Sequence, residues 1–135
     1  MERIKFLLLF SVFVFQLLFF DVSANTVSPV TPQPVYFEQC TKIFDVSKEK
    51  LFYLSLASVS ANKFTINEIQ STSGYIVFTA GGKHYLASVF DIDSKHSMLK
   101  ITPVNNDYFF PIGVVTNFFK YIELNESATV LQLNK

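Results

Sequence analysis

The chain has 135 residues, 50% of them hydrophobic, with 11 Lys+Arg balanced by 11 Asp+Glu. A formal net charge of zero excludes the broad basic field that phosphate-backbone binding needs and the acidic tail of a charged disordered interactor. The apolar content excludes disorder over the whole length, the length allows one domain, and a single cysteine excludes an internal disulfide framework.

The chain opens as an address. Arg3 and Lys5 precede an apolar run over residues 6–20, broken only by Ser11 and Gln16, and Val22-Ser23-Ala24 supplies small residues at the exit. Basic start, apolar run and small-residue end define a secretory signal peptide over residues 1–24. The rival is an uncleaved anchor, but fifteen helical residues reach roughly 22 Å against a hydrocarbon core of about 30 Å. Contact with a membrane is therefore expected only through this segment, and only if it is retained. Cleavage after Ala24 leaves 111 residues (135 − 24). It removes Arg3 and Lys5 with Glu2 and Asp21, so nine basic and nine acidic residues remain. A lipid-anchored cysteine would follow the apolar run directly, and Cys40 lies twenty residues beyond Phe20.

Residues 25–34 hold Pro29, Pro32 and Pro34, an extended linker whose prolines withhold donors and stiffen the backbone. Residues 35–44 are rich in Val, Tyr, Phe, Ile and Thr and are expected to form a first strand. Ser47 is placed as an N-cap, and Leu51, Leu54, Ala57 and Ala61 recur at helical spacing over 48–62. Strands are expected over 64–70, 75–80, 84–92 and 98–104, joined by Ser71-Thr72-Ser73-Gly74, Gly81-Gly82 and Asp93-Ser94-Lys95-His96. Gly81-Gly82 is a tight hairpin signal. Pro111 suits the start of a second helix reaching about Glu123, with Ile112, Val115, Phe119 and Ile122 along one stripe. Residues 124–135 carry no firm pattern.

The order β-α-β-β-β-β-α predicts an α+β domain over 35–123: an antiparallel four- to five-stranded sheet with two helices packed on one face. A two-residue turn at Gly81-Gly82 sets Phe78 opposite Tyr85 and Val77 opposite Leu86. A four-residue loop at 93–96 would set Phe90 opposite Leu99 and Ser88 opposite Ile101. One sheet face then carries Tyr75, Val77, Leu86, Phe90, Ile92, Leu99 and Ile101, the expected core. The other carries Ile76, Phe78, Tyr85, Ala87 and Val89 beside Asp91, Lys100 and Thr102. This second face is too apolar for a simple solvent face, so Ile76, Phe78, Tyr85 and Val89 are the candidate binding patch. A one-residue slip in either turn would exchange the faces.

Chemistry-bearing patterns are sparse. Cys40 has Lys42 two residues away as its only cationic neighbour in sequence, and a buried structural thiol is the expected role. No Gly-x-Ser-x-Gly elbow, Gly-x-Gly-x-x-Gly turn or P-loop occurs, so no cofactor is expected. His84 and His96 lie at opposite ends of one expected strand, too far apart to share a metal. Asp91, Asp93 and His96 could meet at one loop, where solvated turn residues are the expected reading and no metal site is assigned. Tyr108-Phe109-Phe110 is expected to staple the second helix to the core, with an exposed knuckle as the alternative. Asn125-Glu126-Ser127 is a glycosylation acceptor only in a eukaryotic host.

Phe44-Asp45-Val46-Ser47 entering a helix, then Phe64-Thr65-Ile66 and Ser73-Gly74-Tyr75-Ile76-Val77-Phe78, resembles the helix-grip repeats of bacterial envelope lipoproteins of the BamC type. The likeness is one of element order over residues 35–123, and the lipidated cysteine of that family is missing from its place. It implies a non-enzymatic envelope module and transfers no functional residue. The expected function is an exported domain of the periplasm, cell envelope or extracellular space that acts by protein binding or scaffolding, with an envelope protein or itself as partner. The alternative is a carrier holding an apolar small molecule between helix and sheet. A thiol enzyme using Cys40 is the remote one.

Overall fold

The structure, a computed structural model, describes residues 28–127. It runs through β1 (Pro32–Pro34), a 3₁₀ turn (Phe37–Cys40), β2 (Thr41–Phe44), α1 (Lys48–Ala61) and β3 (Thr65–Gln70). It continues through β4 (Tyr75–Ala80), β5 (Lys83–Asp91), β6 (Ser97–Pro103), β7 (Phe109–Pro111) and α2 (Gly113–Asn125). Five strands form one antiparallel sheet in the order β2-β6-β5-β4-β3, and β1 pairs with β7 in a separate two-stranded ribbon. Both helices pack on one face of the large sheet, so the expected α+β architecture is the observed one.

Gly81 and Gly82 sit at φ +56° and +79°, the left-handed pair that a two-residue hairpin turn demands. Phe78 accordingly faces Tyr85, and Val77 faces Leu86. The second hairpin differs from expectation. Asp91 pairs with Ser97, leaving a five-residue loop over 92–96. Asp93 builds that loop: its Oδ1 accepts from the backbone N–H groups of Lys95 and His96, each at 2.8 Å. The extra residue moves β6 by one position, so Val89 faces Leu99 and Phe90 faces Met98. Leu99 and Ile101 thereby join Ile76, Phe78, Tyr85, Ala87 and Val89 in the buried layer, while Lys100 and Thr102 move to the open side.

Ser47 caps α1 as expected, its hydroxyl accepting from the Lys50 N–H at 3.3 Å. The buried stripe is turned from the expected one. Leu51, Leu54, Ser55, Ser58 and Val59 face inward, whereas Ala61 is exposed. Ser55 donates to the Leu51 carbonyl at 2.7 Å, and Ser58 donates across the helix pair to the Phe118 carbonyl at 2.9 Å. Internal bonding of this kind makes buried serine tolerable and lets the helices approach closely. On α2, Val115, Phe118, Phe119 and Ile122 are buried. Phe118 meets Phe78 at 5.5 Å and Phe119 meets Phe44 at 6.0 Å, which fixes α2 on the same side of the sheet as α1.

The amino-terminal part departs most from expectation. The strand expected over 35–44 is interrupted by the 3₁₀ turn, and only Thr41–Phe44 enters the sheet. Pro32–Pro34, expected to be linker, pairs with Phe109–Pro111, and the Val35 N–H donates to the Tyr108 carbonyl at 2.8 Å. Three prolines, Pro32, Pro34 and Pro111, are tolerated because this ribbon is all edge. Upstream, the Pro29 carbonyl accepts from the Gly113 N–H at 2.8 Å, and a Cβ on Gly113 would lie 2.8 Å from that oxygen. The expected signal peptide, residues 1–24, lies outside the described residues, as does the end of the tail beyond residue 127. Among the described residues no helix is long and apolar enough to cross a membrane.

Candidate interaction surfaces

The four expected patch residues are brought together, but in the interior. Ile76, Phe78 and Tyr85 are 0% exposed and Val89 is 2% exposed. The Phe78 ring stacks on Phe64 at 5.4 Å and on Tyr85 at 5.5 Å, under the Phe118 ring of α2. They form the layer that the helices cover, so they offer no surface to a partner. The cause is the loop parity at 92–96. With Leu99 and Ile101 on their side, this face is apolar throughout and is the one worth burying.

The face without helices carries the complementary set. Cross-strand pairing aligns Ile43, Met98 and Phe90 in one row, and Val77 with Leu86 in another. Ile43 is 57% exposed and Phe90 43%, while Val77, Leu86 and Met98 are half-buried. Polar residues interleave. Thr79 donates to Asn67 Oδ1 at 2.7 Å and lies 2.9 Å from His84 Nδ1, and Tyr75 donates to Glu68 at 3.2 Å. The Tyr75 hydroxyl is pushed above its ordinary range by partial desolvation and by that carboxylate. The Lys100 ammonium lies 4.5 Å from the centroid of the Phe37 ring, a cation–π contact at the edge of this face.

The Asp–His cluster is real but differently composed. His96 Nδ1 lies 2.8 Å from Asp93 Oδ1, and its Nε2 lies 3.4 Å from Asp45 Oδ1. Asp45, at the junction of β2 and α1, takes the place expected for Asp91. Hydrogen bonds from the Lys95 N–H and from His96 hold the Asp93 carboxyl below its usual range. Among the described residues no group of three or more His, Cys, Asp or Glu side chains is arranged to hold a metal ion.

Cys40 ends the 3₁₀ turn rather than lying on a strand. It is buried, with Sγ 3.7 Å from the Tyr36 carbonyl. Burial, reinforced by the nearby Glu38 charge, pushes its thiol up to about 11. Lys42 pairs with Glu123 of α2, and its ammonium lies 5.7 Å from the Phe44 ring. A thiol so placed is protonated at neutral pH and makes a poor nucleophile.

In Tyr108-Phe109-Phe110 the strand alternation divides the two expected roles. Phe110 is fully buried against Tyr85 at 5.3 Å and staples the helix start, while Phe109 points outward. Two clefts open near the start of α1. One, of about 280 Å³, is lined by Lys48, Phe52, Tyr53, Ser71 and Thr72. The other, of about 410 Å³, is lined by Asp45, Ser47, Lys50, Lys95 and His96. The first lies between α1 and the β3–β4 turn, and the second between the start of α1 and the 92–96 loop.

Compared with known proteins, the chain matches no protein-family model and no curated protein.

Proposed function

We propose that the chain is an exported, non-catalytic binding module of the cell envelope, which meets a protein partner with the open face of its five-stranded sheet. The observation that carries this reading is the Ile43–Met98–Phe90 row, with Ile43 and Phe90 exposed on a face that no helix of the described residues covers. An antiparallel sheet packed on one side ordinarily turns polar residues outward on the other. An exposed apolar row on such a face marks an interface.

The apolar leader with its small-residue exit supports export. The buried, protonated Cys40 supports a structural thiol over a catalytic one. Between α1 and the sheet, Leu51, Leu54, Val59, Ile76 and Phe78 are all buried against one another. A layer filled in this way supports contact at the surface over carriage of a small molecule inside.

Two measurements test the reading. Protein recovered from its host should have the intact mass of a chain beginning at Asn25. A cytoplasmic protein that keeps residues 1–24 overturns export. Ile43→Asp with Phe90→Asp alters only exposed side chains, so it should leave the circular dichroism spectrum and melting temperature near wild type and abolish crosslinking to the envelope partner. Undiminished crosslinking by the double variant overturns the open face as the binding surface.

A further inference from the structure

The five-stranded sheet has two edges, β2 and β3, and they are built differently. At the β3 edge the register shifts between Ile66 and Glu68, a bulge of the kind that blunts an edge against further pairing. The β2 edge is regular. Thr41–Phe44 pairs with Ser97–Lys100 without a shift, and no other backbone hydrogen bond among the described residues reaches it. Ile43 is 57% exposed there, and the one charge of the strand, Lys42, is taken up by Glu123 of α2. A regular edge with unpaired backbone groups is a template for one more strand.

The segment that follows α2 starts next to this edge. Lys42 of β2 pairs with Glu123, and Glu126 lines the same cleft as Asp45 and Ser47, so α2 ends beside the point where β2 ends. A chain that turns back from there runs antiparallel to β2, the sense of every other pairing in this sheet. Residues 128–135 lie outside the described residues; their sequence, Ala-Thr-Val-Leu-Gln-Leu-Asn-Lys, holds neither Gly nor Pro. Taken alone it carries no firm pattern, but beside β2 its alternation finds matching neighbours. Residues 130–133 would cover about 13 Å at roughly 3.3 Å each, the length of β2, and residues 126–129 remain for the turn. We propose that residues 130–133 add to the sheet as a sixth strand, antiparallel to β2, with Leu131 opposite Ile43. That register sets Val130 opposite Phe44, which packs on Phe119, and Gln132 opposite Lys42 with its Glu123 partner. Leu131 then lengthens the Ile43–Met98–Phe90 row by one strand on the open face. A one-residue slip would set Leu131 against Lys42 or move it under the helix side. The added strand goes beyond the binding reading and needs no partner protein, so the two fail separately.

Introduced thiols read the pairing. In the full chain carrying Cys40→Ala, where no native thiol competes, Ile43→Cys with Leu131→Cys should close an intramolecular disulfide under mild oxidation, seen as faster migration without reductant. Ile66→Cys with Leu131→Cys, at the bulged edge, should stay open. Ile43 and Ile66 are both exposed, so neither substitution disturbs the core. Hydrogen exchange gives a second reading that needs no new cysteine. One of two adjacent strand residues turns its N–H to the neighbouring strand, so Val130→Pro with Leu131→Pro removes the donor whichever it is. This variant should lose protection at the Thr41–Phe44 amides and keep it in β4 and β5. Closure at Ile66 that matches closure at Ile43, or closure at neither, overturns the proposal, as does unchanged protection of β2 in the proline variant. A disulfide-linked dimer in place of the closed monomer overturns it too, because the edge then takes a strand from a second copy.

Discussion

Deleting one hydroxyl should stabilise this protein at Tyr85 and destabilise it at Ser97. Tyr85 is fully buried between the Phe78 ring, 5.5 Å away, and the Phe110 ring, 5.3 Å away, and its hydroxyl has no hydrogen-bond partner among the described residues. A hydroxyl buried without a partner costs about 1–3 kcal/mol, whereas Phe in its place keeps both ring contacts. Tyr85→Phe should therefore raise the unfolding free energy by about 1 kcal/mol or more, and each kcal/mol moves the melting temperature by about 4–8 °C in a domain of this size. Ser97 is the mirror case. Its hydroxyl donates to the Val46 carbonyl at 2.7 Å, tying β6 to the turn before α1, and both residues are buried. Ser97→Ala strips that carbonyl of its partner and should cost about 1–3 kcal/mol. Urea unfolding followed by circular dichroism reads both variants, with an unchanged m-value showing that compactness is preserved. A Tyr85→Phe protein less stable than wild type would refute the reasoning, because the hydroxyl would then be making a bond worth more than its burial.

Two buried groups, Cys40 and Tyr85, set the alkaline limit. Cys40 is raised from 9.0 to about 11 and Tyr85 from 10.0 to about 12, so above pH 9 the unfolded chain loses protons that the folded chain keeps, and stability should fall between pH 9 and 12. Melting temperatures measured across that range should fall less steeply for Cys40→Ala than for wild type. Folded Cys40 should resist iodoacetamide at neutral pH and react once urea is added; rapid labelling of the native protein would contradict its burial. Asp93, held low, contributes stability that is present above the carboxylate's unfolded value and lost as the pH falls through the folded one. Asp93→Asn should accordingly flatten the acid side of the profile, read by thermal melts in a pH series. Gly113→Ala would set a Cβ 2.8 Å from the Pro29 carbonyl, so β1 should loosen and the Gln33 and Val35 amides should lose hydrogen-exchange protection while the large sheet keeps its own.

What was legible in the sequence was local. Ser47 announces its own helix, and Gly81-Gly82 announces its own turn, because each encodes a backbone geometry within two or three residues. The β1–β7 ribbon was not legible, since it joins a proline-rich segment to one far along the chain and neither half has a strand signature alone. Ser55 and Ser58 look like surface positions by composition. They are inside because each hydroxyl finds a backbone carbonyl, a fact of tertiary packing. Asp45 reaches His96 only after β2 and β6 have paired, so the sequence neighbourhood of His96 pointed to Asp91 instead. The candidate patch failed for a sharper reason. All four of its residues were placed correctly on one face, and a single residue in the next loop decided which face that was.

That loop links fold and proposed function. With four residues at the turn, Leu99 and Ile101 would stand beside Val77 and Leu86, and Lys100 and Thr102 would be driven under the helices beside Ile76 and Phe78. An ammonium in that layer would need a partner that Phe44, Phe118 and Phe119 cannot supply, at a cost of several kcal/mol. With five residues, capped through Asp93, Lys100 is free to lie over Phe37 at the surface and the buried layer is apolar throughout. Asp93, expected in the sequence to be a solvated turn residue, therefore acts on register. By setting the parity of β6, Asp93 determines that Met98 and Phe90 face outward in line with Ile43, and that row is the surface on which the binding reading depends.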